Sequence, residues 1–463
     1  MDKQDGLTAK TWQKFYKLNN YYHKDIEKLI SFIVPNDASV LEIGTKGGEI
    51  LKSLPNKNKI GVSFNDNLFA HAKKKNPKIK FLTLTNLPAI NKDKFDYIIL
   101  SHTLSEVDDI QLLIKELKKI SHNNTRLLVI YFNFLWKPIF DAAEKLGFRL
   151  PQYREPNWLS EGDVDNFFSL ENFEKIKSGK RFIIPYKLPL ISDFLNKYTS
   201  QLPIFNLFCL TNYAIYKPLS KRNDYSVSIV IPARNEAGNV EGVLNKLPRV
   251  GKSMEVIFVE GHSEDNTFEV IKEEIRKNKS KIKAKLYKQK GKGKGDAVRL
   301  GFSKANNELL MILDADLTVD PNEIPKFYYA IAEGKGELII GSRLIYPMEN
   351  QAMRVLNYFG NKFFSLAFTF LLGQRIKDTL CGTKVLLKDT YEKIATNRHV
   401  FGEFDPFGDY DLIFGAAKLN LKITEIPIRY KERTYGKTNI SRFRHGLLLL
   451  KMVYFAAKNL KFV

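Results

Sequence analysis

Two carboxylates one residue apart, Asp314 and Asp316, follow the apolar run Leu309-Leu310-Met311-Ile312-Leu313 and precede the turn signal Asp320-Pro321. The pattern reads as a buried strand running out into a turn, with period-two alternation pointing both acids to one side. A pair so placed suits a hard divalent cation, Mg2+ or Mn2+, which takes oxygen ligands and keeps positions open for phosphates. Its chemistry would be neutralisation of the charge that grows on a departing diphosphate. The alternative is a plain helix cap, for which Asp is equally suited. Gly293-Lys294-Gly295 offers backbone N–H groups and an ammonium to a diphosphate, unless it is a solvated loop. Arg433 and Lys437 stand either side of Gly436 and carry fixed positive charge on a stretch that glycine lets bend.

Two α/β halves must position these groups. In the second half Val227–Ile231 leads to a helical segment from Val240, and Glu255–Val259 to a helix from Thr267. Ala284–Tyr287 then leads through a loop to a helix from Asp296 and the strand before Asp314. Strands and helices alternating in this way imply a parallel, doubly wound sheet, whose ligands bind beyond the carboxyl ends of its strands. Lys422–Ile428 reads as an edge strand. The first half opens with Ser39-Val40-Leu41-Glu42-Ile43-Gly44. From about 151 to 221, aromatics, prolines and short apolar runs lack a period and read as a cap and connector completing the first domain. The expected domains are therefore 1–150, the connector 151–221, 222–440, and a C-terminal apolar and basic helix over 441–463.

Bulk properties fit that division. A chain of 463 residues with 44% hydrophobic and 12% aromatic content can bury two or three cores. Its formal charge of +22 predicts affinity for phosphates or an anionic surface. Nucleic acid is the weaker partner, because the lysine-rich stretches at 73–75 and 272–294 are interleaved with acidic or apolar residues and match no recognition motif. Cys209 and Cys381 lack metal-ligand spacing and point to a reducing compartment. Met1–Asp5 has no apolar core of a signal peptide, so a cytoplasmic protein is expected.

The second half, from about Tyr225 onward, carries four segments in order: Ser228-Ile229-Val230-Ile231-Pro232-Ala233-Arg234-Asn235-Glu236, Val259-Glu260-Gly261-His262-Ser263-Glu264-Asp265-Asn266-Thr267, Gly293-Lys294-Gly295-Asp296-Ala297 and Asp314-Ala315-Asp316. Together they resemble an inverting family 2 glycosyltransferase of GT-A fold, nearest the dolichol-phosphate mannosyltransferase-like branch. The resemblance implies a nucleotide-diphosphate sugar donor. It places Pro232, Arg234 and Glu236 at the nucleotide and Glu260 at uracil or ribose. Lys294 and Asp296 would lie at the diphosphate, with Asp314 and Asp316 on the metal. It also implies an acceptor-side carboxylate at Asp409, or else Asp411, although either acid also suits a helix cap. Arg343 of Gly341-Ser342-Arg343 would lie near an acceptor phosphate, and Arg433 and Lys437 would belong to a loop closing on phosphates. Two positions depart from the family pattern: Glu260-Gly261-His262-Ser263 replaces Asp-Asp-Gly-Ser, and Thr318 replaces a glutamine.

Phe363–Leu372 is too short for a bilayer span of about 20 residues, but it suits an interfacial or a core helix. Leu447-Leu448-Leu449-Leu450, followed by Lys451, Lys458 and Lys461, favours a helix lying on an anionic surface. With the resemblance, these segments make a lipid-phosphate acceptor, such as a polyprenyl phosphate, the expected partner. A glycan acceptor stays open. The protein is expected at the inner face of the membrane, held peripherally.

Val40-Leu41-Glu42-Ile43-Gly44-Thr45-Lys46-Gly47-Gly48-Glu49-Ile50 and Phe95–Val107 resemble a class I S-adenosylmethionine-dependent methyltransferase over about residues 20–150. The resemblance implies that Gly44 and Gly48 let the backbone approach the cofactor, with Glu42 in polar contact nearby. Lys46 stands where the turn usually has a second glycine. Ser63 and Asn86 replace the acids expected at the ribose and at the adenine amine. Two readings follow for this half: a working methyltransferase, or a degenerate structural domain. For the whole chain, a bifunctional transferase stands against a tethering scaffold with two degenerate cofactor sites.

Overall fold

Val40–Ile43, buried along its whole length, forms β1, an interior strand of a seven-stranded sheet in the computed structural model. The structure describes residues 7–85, 95–146, 157–278, 282–346, 355–398, 410–431, 433, 435 and 442–462. β2 (Lys59–Ser63), β3 (Lys80–Thr83), β4 (Tyr97–Ser101) and β5 (Arg126–Phe132) run parallel to β1. β6 (Phe173–Arg181) and β7 (Thr211–Pro218) complete the sheet, β7 being antiparallel to both its neighbours. The order is β3-β2-β1-β4-β5-β7-β6, so the winding reverses between β1 and β4. Leu41 and Ile43 enter one core with Ile98 and Leu100, while Val40 and Ile99 enter the other, as burial on both faces of a parallel sheet requires. β6 and β7 both lie in the stretch 151–221, which reads from sequence as a connector. β6 has few apolar residues because it is the sheet's edge strand.

The second sheet has strands β8 (Val227–Ala233), β9 (Met254–Glu260), β10 (Lys283–Lys288), β11 (Leu309–Ile312), β12 (Leu338–Ser342), β13 (Lys384–Leu387) and β14 (Ile423–Pro427). Their order is β10-β9-β8-β11-β13-β12-β14, with β13 antiparallel to β11 and β12. Here the winding reverses between β8 and β11, which sets a crevice at their carboxyl ends. β14 lies at the edge, parallel to β12. The helical segment expected from Val240 is instead two short turns, Ala237–Val240 and Val243–Lys246. Gly242, at φ 72°, separates them, and Pro248 follows. The chain forms two units, Met1–Leu219 with Lys461–Val463, and Ser220–Leu460.

In the second unit, helices Val355–Leu372 and Arg442–Ala456 bury Phe368, Leu449 and Met452 in a common core. Their outer residues Leu366 and Leu447 are 71% and 64% exposed. These helices therefore serve the core on one face and meet solvent on the other. Among the described residues, no helix is long and apolar enough to cross a membrane.

Candidate functional site

Three chain segments leave the carboxyl ends of β8, β9 and β11 through left-handed non-glycine residues: Asn235 at φ 57°, His262 at 59° and Leu317 at 50°. Such backbone is costly, on the order of 1 kcal/mol or more each, and it concentrates where function over-determines geometry. Asn235 ties two of these segments together. Its N–H donates to Ser263 Oγ (3.0 Å), and its Oδ1 accepts from the Glu264 N–H (2.8 Å).

The expectation that Asp314 and Asp316 alternate on a strand is corrected by the structure. β11 stops at Ile312, and both acids lie on the loop beyond it. Asp316 Oδ1 accepts from the Thr318 N–H (3.2 Å) and hydroxyl (2.8 Å), and this local turn curls the chain out of the extended state. Cations nevertheless join both acids to the other segments. Lys294 Nζ, at the start of helix Lys294–Lys304, lies 2.6 Å from Asp314 Oδ1. Arg433 bridges Glu236 Oε1 (3.0 Å) and Asp316 Oδ2 (2.7 Å), and Asn239 Nδ2 donates to Glu236 Oε2 (2.6 Å).

Desolvation opposes ionisation of Asp314, but Lys294, with Lys384 and Arg343 behind it, holds the carboxyl below the ordinary range. Burial dominates at Glu236 and raises its carboxyl, against the pull of Asn239 and Arg433. Gly382, unremarked in the sequence, closes the site: a Cβ there would stand 2.0 Å from Asp314 Oδ2 and 2.3 Å from Lys294 Nζ. Its signal was a lone glycine just before a strand, where backbone must approach closely.

This donor set fits Mg2+ or Mn2+. Two carboxylates supply hard oxygen, and phosphates can complete an octahedron that protein need not fill. Among the described residues, no three His, Cys, Asp or Glu side chains gather to hold an ion unaided.

Glu260 is 1% exposed and caps the Ser263 N–H with Oε1. Its Oε2 has no hydrogen-bond partner, and Lys288 Nζ stands 4.0 Å away. A buried acceptor left without a donor is costly unless a ligand satisfies it. Half-buried Pro232 is the penultimate residue of β8, and Arg234 is exposed just beyond the strand's end at Ala233.

Other expected site residues are engaged elsewhere. Asp296 Oδ2 accepts from the Gly291 N–H (3.1 Å) and so braces the glycine-lysine loop. Arg343 makes two bonds to Asp378, from Nε (2.7 Å) and Nη2 (2.8 Å). Asp411 lies in the first turn of helix Tyr410–Lys418, with Oδ2 3.0 Å from Arg398 Nε. Asp409 and Lys437 lie outside the described residues.

In the first unit Gly44 and Gly48 are left-handed, at φ 80° and 79°, and a Cβ on Gly44 would meet Thr103 Oγ1 at 3.0 Å. Thr103 itself donates to Ile43 O (2.6 Å), which joins the turns after β1 and β4. Lys46 pairs with Glu106. Ser63 spends its hydroxyl on Asn65 O (3.1 Å), and Asn86 lies outside the described residues. His102 shares a hydrogen bond with the Tyr22 hydroxyl (2.8 Å) and stacks on Phe132.

Glu42, 4% exposed, accepts from the Thr45 hydroxyl (3.0 Å), yet burial pushes its carboxyl up from 4.5 to about 8. Folding therefore favours the protonated form. That contribution is fully present below the unfolded value and is lost as pH rises through about 8. Glu42→Gln is expected to flatten the loss of first-unit stability between pH 4.5 and about 8 and to gain on the order of 2–4 kcal/mol at pH near 9. Thermal unfolding of parent and variant across pH checks this.

Residues 228–395 match the model of the family described as Glycosyl transferase family 2, and residues 18–178 match a methyltransferase domain. Glycosyltransferase AglJ of Haloferax volcanii is 28% identical over 235 residues, covering 50% of this chain and 72% of that protein. Dolichol-phosphate mannosyltransferase of Pyrococcus furiosus is 28% identical over 250 residues, covering 49% of this chain and 64% of its own length. UDP-N-acetylglucosamine–dolichyl-phosphate N-acetylglucosaminyltransferase of Methanococcus voltae is 28% identical over 250 residues, covering 50% and 97%.

Proposed function

We propose that this chain, which carries a family 2 glycosyltransferase domain behind a methyltransferase domain, moves a sugar from a nucleotide diphosphate to a lipid phosphate with inversion. The observation that carries this reading is the charge cluster at the β8–β11 switch point, where Lys294 and Arg433 tie Asp314, Asp316 and Glu236 together. A donor diphosphate would take over the two cations, and the two aspartates would hold Mg2+ or Mn2+. When bound, the ion neutralises charge on the leaving diphosphate. Glu260 Oε2 accepts from the nucleoside, and Arg234 stands in the open beside it. Arg433 exchanges carboxylate partners for phosphate oxygens and so orders its segment around the donor.

Inversion requires the acceptor to attack the sugar face opposite the diphosphate. A hydroxyl needs a base there, whereas a phosphate arrives as an anion. Asp411 is engaged by Arg398, and that engagement favours the acceptor that needs no base, with Asp409 positioning it. The Pyrococcus and Methanococcus relatives, named for dolichol-phosphate and dolichyl-phosphate acceptors, point the same way. Peripheral attachment at the inner membrane face, through the exposed sides of helices Val355–Leu372 and Arg442–Ala456, belongs to the same reading. Assays of labelled sugar transfer should give polyprenyl-phosphate product. Product on a soluble glycan alone would contradict the lipid acceptor.

For the N-terminal unit we propose weak binding of S-adenosylmethionine, through Gly44, Gly48 and Glu42. No carboxylate stands at Ser63 to take the ribose hydroxyls, and each such lost bond costs about 1 kcal/mol. A submicromolar dissociation constant by calorimetry would contradict this.

A further inference from the structure

Between β6 and β7 the first unit presents a surface built inside out. In helix Ile191–Lys197 the buried residues are Ser192 and Asn196, one turn apart, while Ile191 and Phe194 are 55% and 60% exposed. The polar pair is employed inward. Asn196 Oδ1 accepts from the N–H groups of Ile183 (2.8 Å) and Ile184 (3.0 Å), and Ser192 Oγ donates to Tyr186 O (2.7 Å). Buried Ser200 donates to Asn196 O. Polar groups hold this segment together and apolar groups face outward, the reverse of what water selects.

Its two tips repeat one device. In Leu188-Pro189-Leu190-Ile191 the Ile191 N–H donates to Pro189 O (2.7 Å), and in Leu202-Pro203-Ile204-Phe205 the Phe205 N–H donates to Pro203 O (2.8 Å). The central residues lie at φ 64°, ψ −40° for Leu190 and φ 71°, ψ −59° for Ile204. Both are γ-turns of the rare, strained hand, which bulky and β-branched residues avoid. The strain holds Leu190 87% and Ile204 72% exposed. Projecting large aliphatic side chains into water gives nothing back for that cost.

We propose that this segment inserts into the interfacial layer of an anionic lipid bilayer, with Leu190 and Ile204 leading. Projecting tips suit a fluid partner that closes around them, where a protein partner would call for a groove. Exposed Lys187 and Lys197 lie in the same stretch. Its one acid, Asp193, accepts from the Tyr21 hydroxyl (2.8 Å), so the patch meets headgroups with net positive charge. This surface belongs to the first unit and stands apart from the glycosyltransferase reading.

Flotation of the full chain with phosphatidylcholine vesicles containing about a third phosphatidylglycerol tests it. The parent should float, and L190E with I204E should lower its partition at least about tenfold while nucleotide-sugar binding is unchanged. L190W should shift to the blue on vesicles and be quenched by brominated acyl chains beyond the parent's level, a readout that does not depend on the charged variant folding. No flotation of the parent would overturn the proposal. Unchanged partition of the double variant, an unquenched L190W on floated protein, or L190-dependent self-association without lipid would do the same.

Discussion

Asp314→Asn is expected to lower kcat/KM for sugar transfer by roughly 10²–10³ while leaving the second unit folded. The substitution is nearly isosteric, and the Asp314 side chain keeps 28% of its surface open, so little packing is lost. What it removes is charge. Lys294 loses its anionic partner at 2.6 Å, and the divalent ion of the proposed reaction would lose one of two carboxylates. In that proposal both charges act on the departing diphosphate, so the loss should fall on kcat as well as on donor affinity. Steady-state kinetics with unchanged unfolding would bear this out, and near-parent kcat would remove Asp314 from the reaction.

Asp378→Ala should produce the largest loss of stability, about 3–5 kcal/mol in the second unit. The Asp378 side chain is fully buried, that of Arg343 is 12% exposed, and the pair is joined by two side-chain bonds plus one from the Arg343 N–H (3.0 Å). Removing the acid takes away the guanidinium's two-bond partner and leaves it over the face of Tyr430, 5.0 Å away. Replacing both partners with apolar residues of similar volume, Arg343→Met with Asp378→Leu, should cost far less. Burial opposes ionisation of Asp378, but Arg343 wins and holds the carboxyl below its ordinary 3.8. The pair's contribution is thus present above that value and is lost as pH falls below it. Urea unfolding across the acid range should show a steeper decline in the parent than in Asp378→Ala.

The sequence disclosed the central strands because both faces are buried: the runs that became β8, β9 and β11 are nearly continuous in apolar residues, and each ends in polar residues at a crevice. The family resemblance also pointed to Lys294, Arg433, Glu236 and the two aspartates, all of which the fold gathers. It did not disclose how they meet. Pairing of Arg433 with Glu236 spans nearly the whole second unit, and no periodicity encodes it. The pairing of Arg343 with Asp378 was not legible either, because that partner lies outside the motif. The stretch from 151 to 221 defeated pattern reading for two reasons. β6 is a lysine-rich edge strand, and the Leu190–Phe208 segment buries serine and asparagine while exposing leucine and phenylalanine. Period arguments assume that apolar residues face a core.

Calorimetric titration of the intact protein with a panel of nucleotide-sugars, with and without Mn2+, tests the central claim most directly. We expect one donor to bind in a Mn2+-dependent manner and to lose that dependence in Asp314→Asn. Failure of every donor to bind, with and without the ion, would contradict the transferase reading and leave a tethering scaffold in its place.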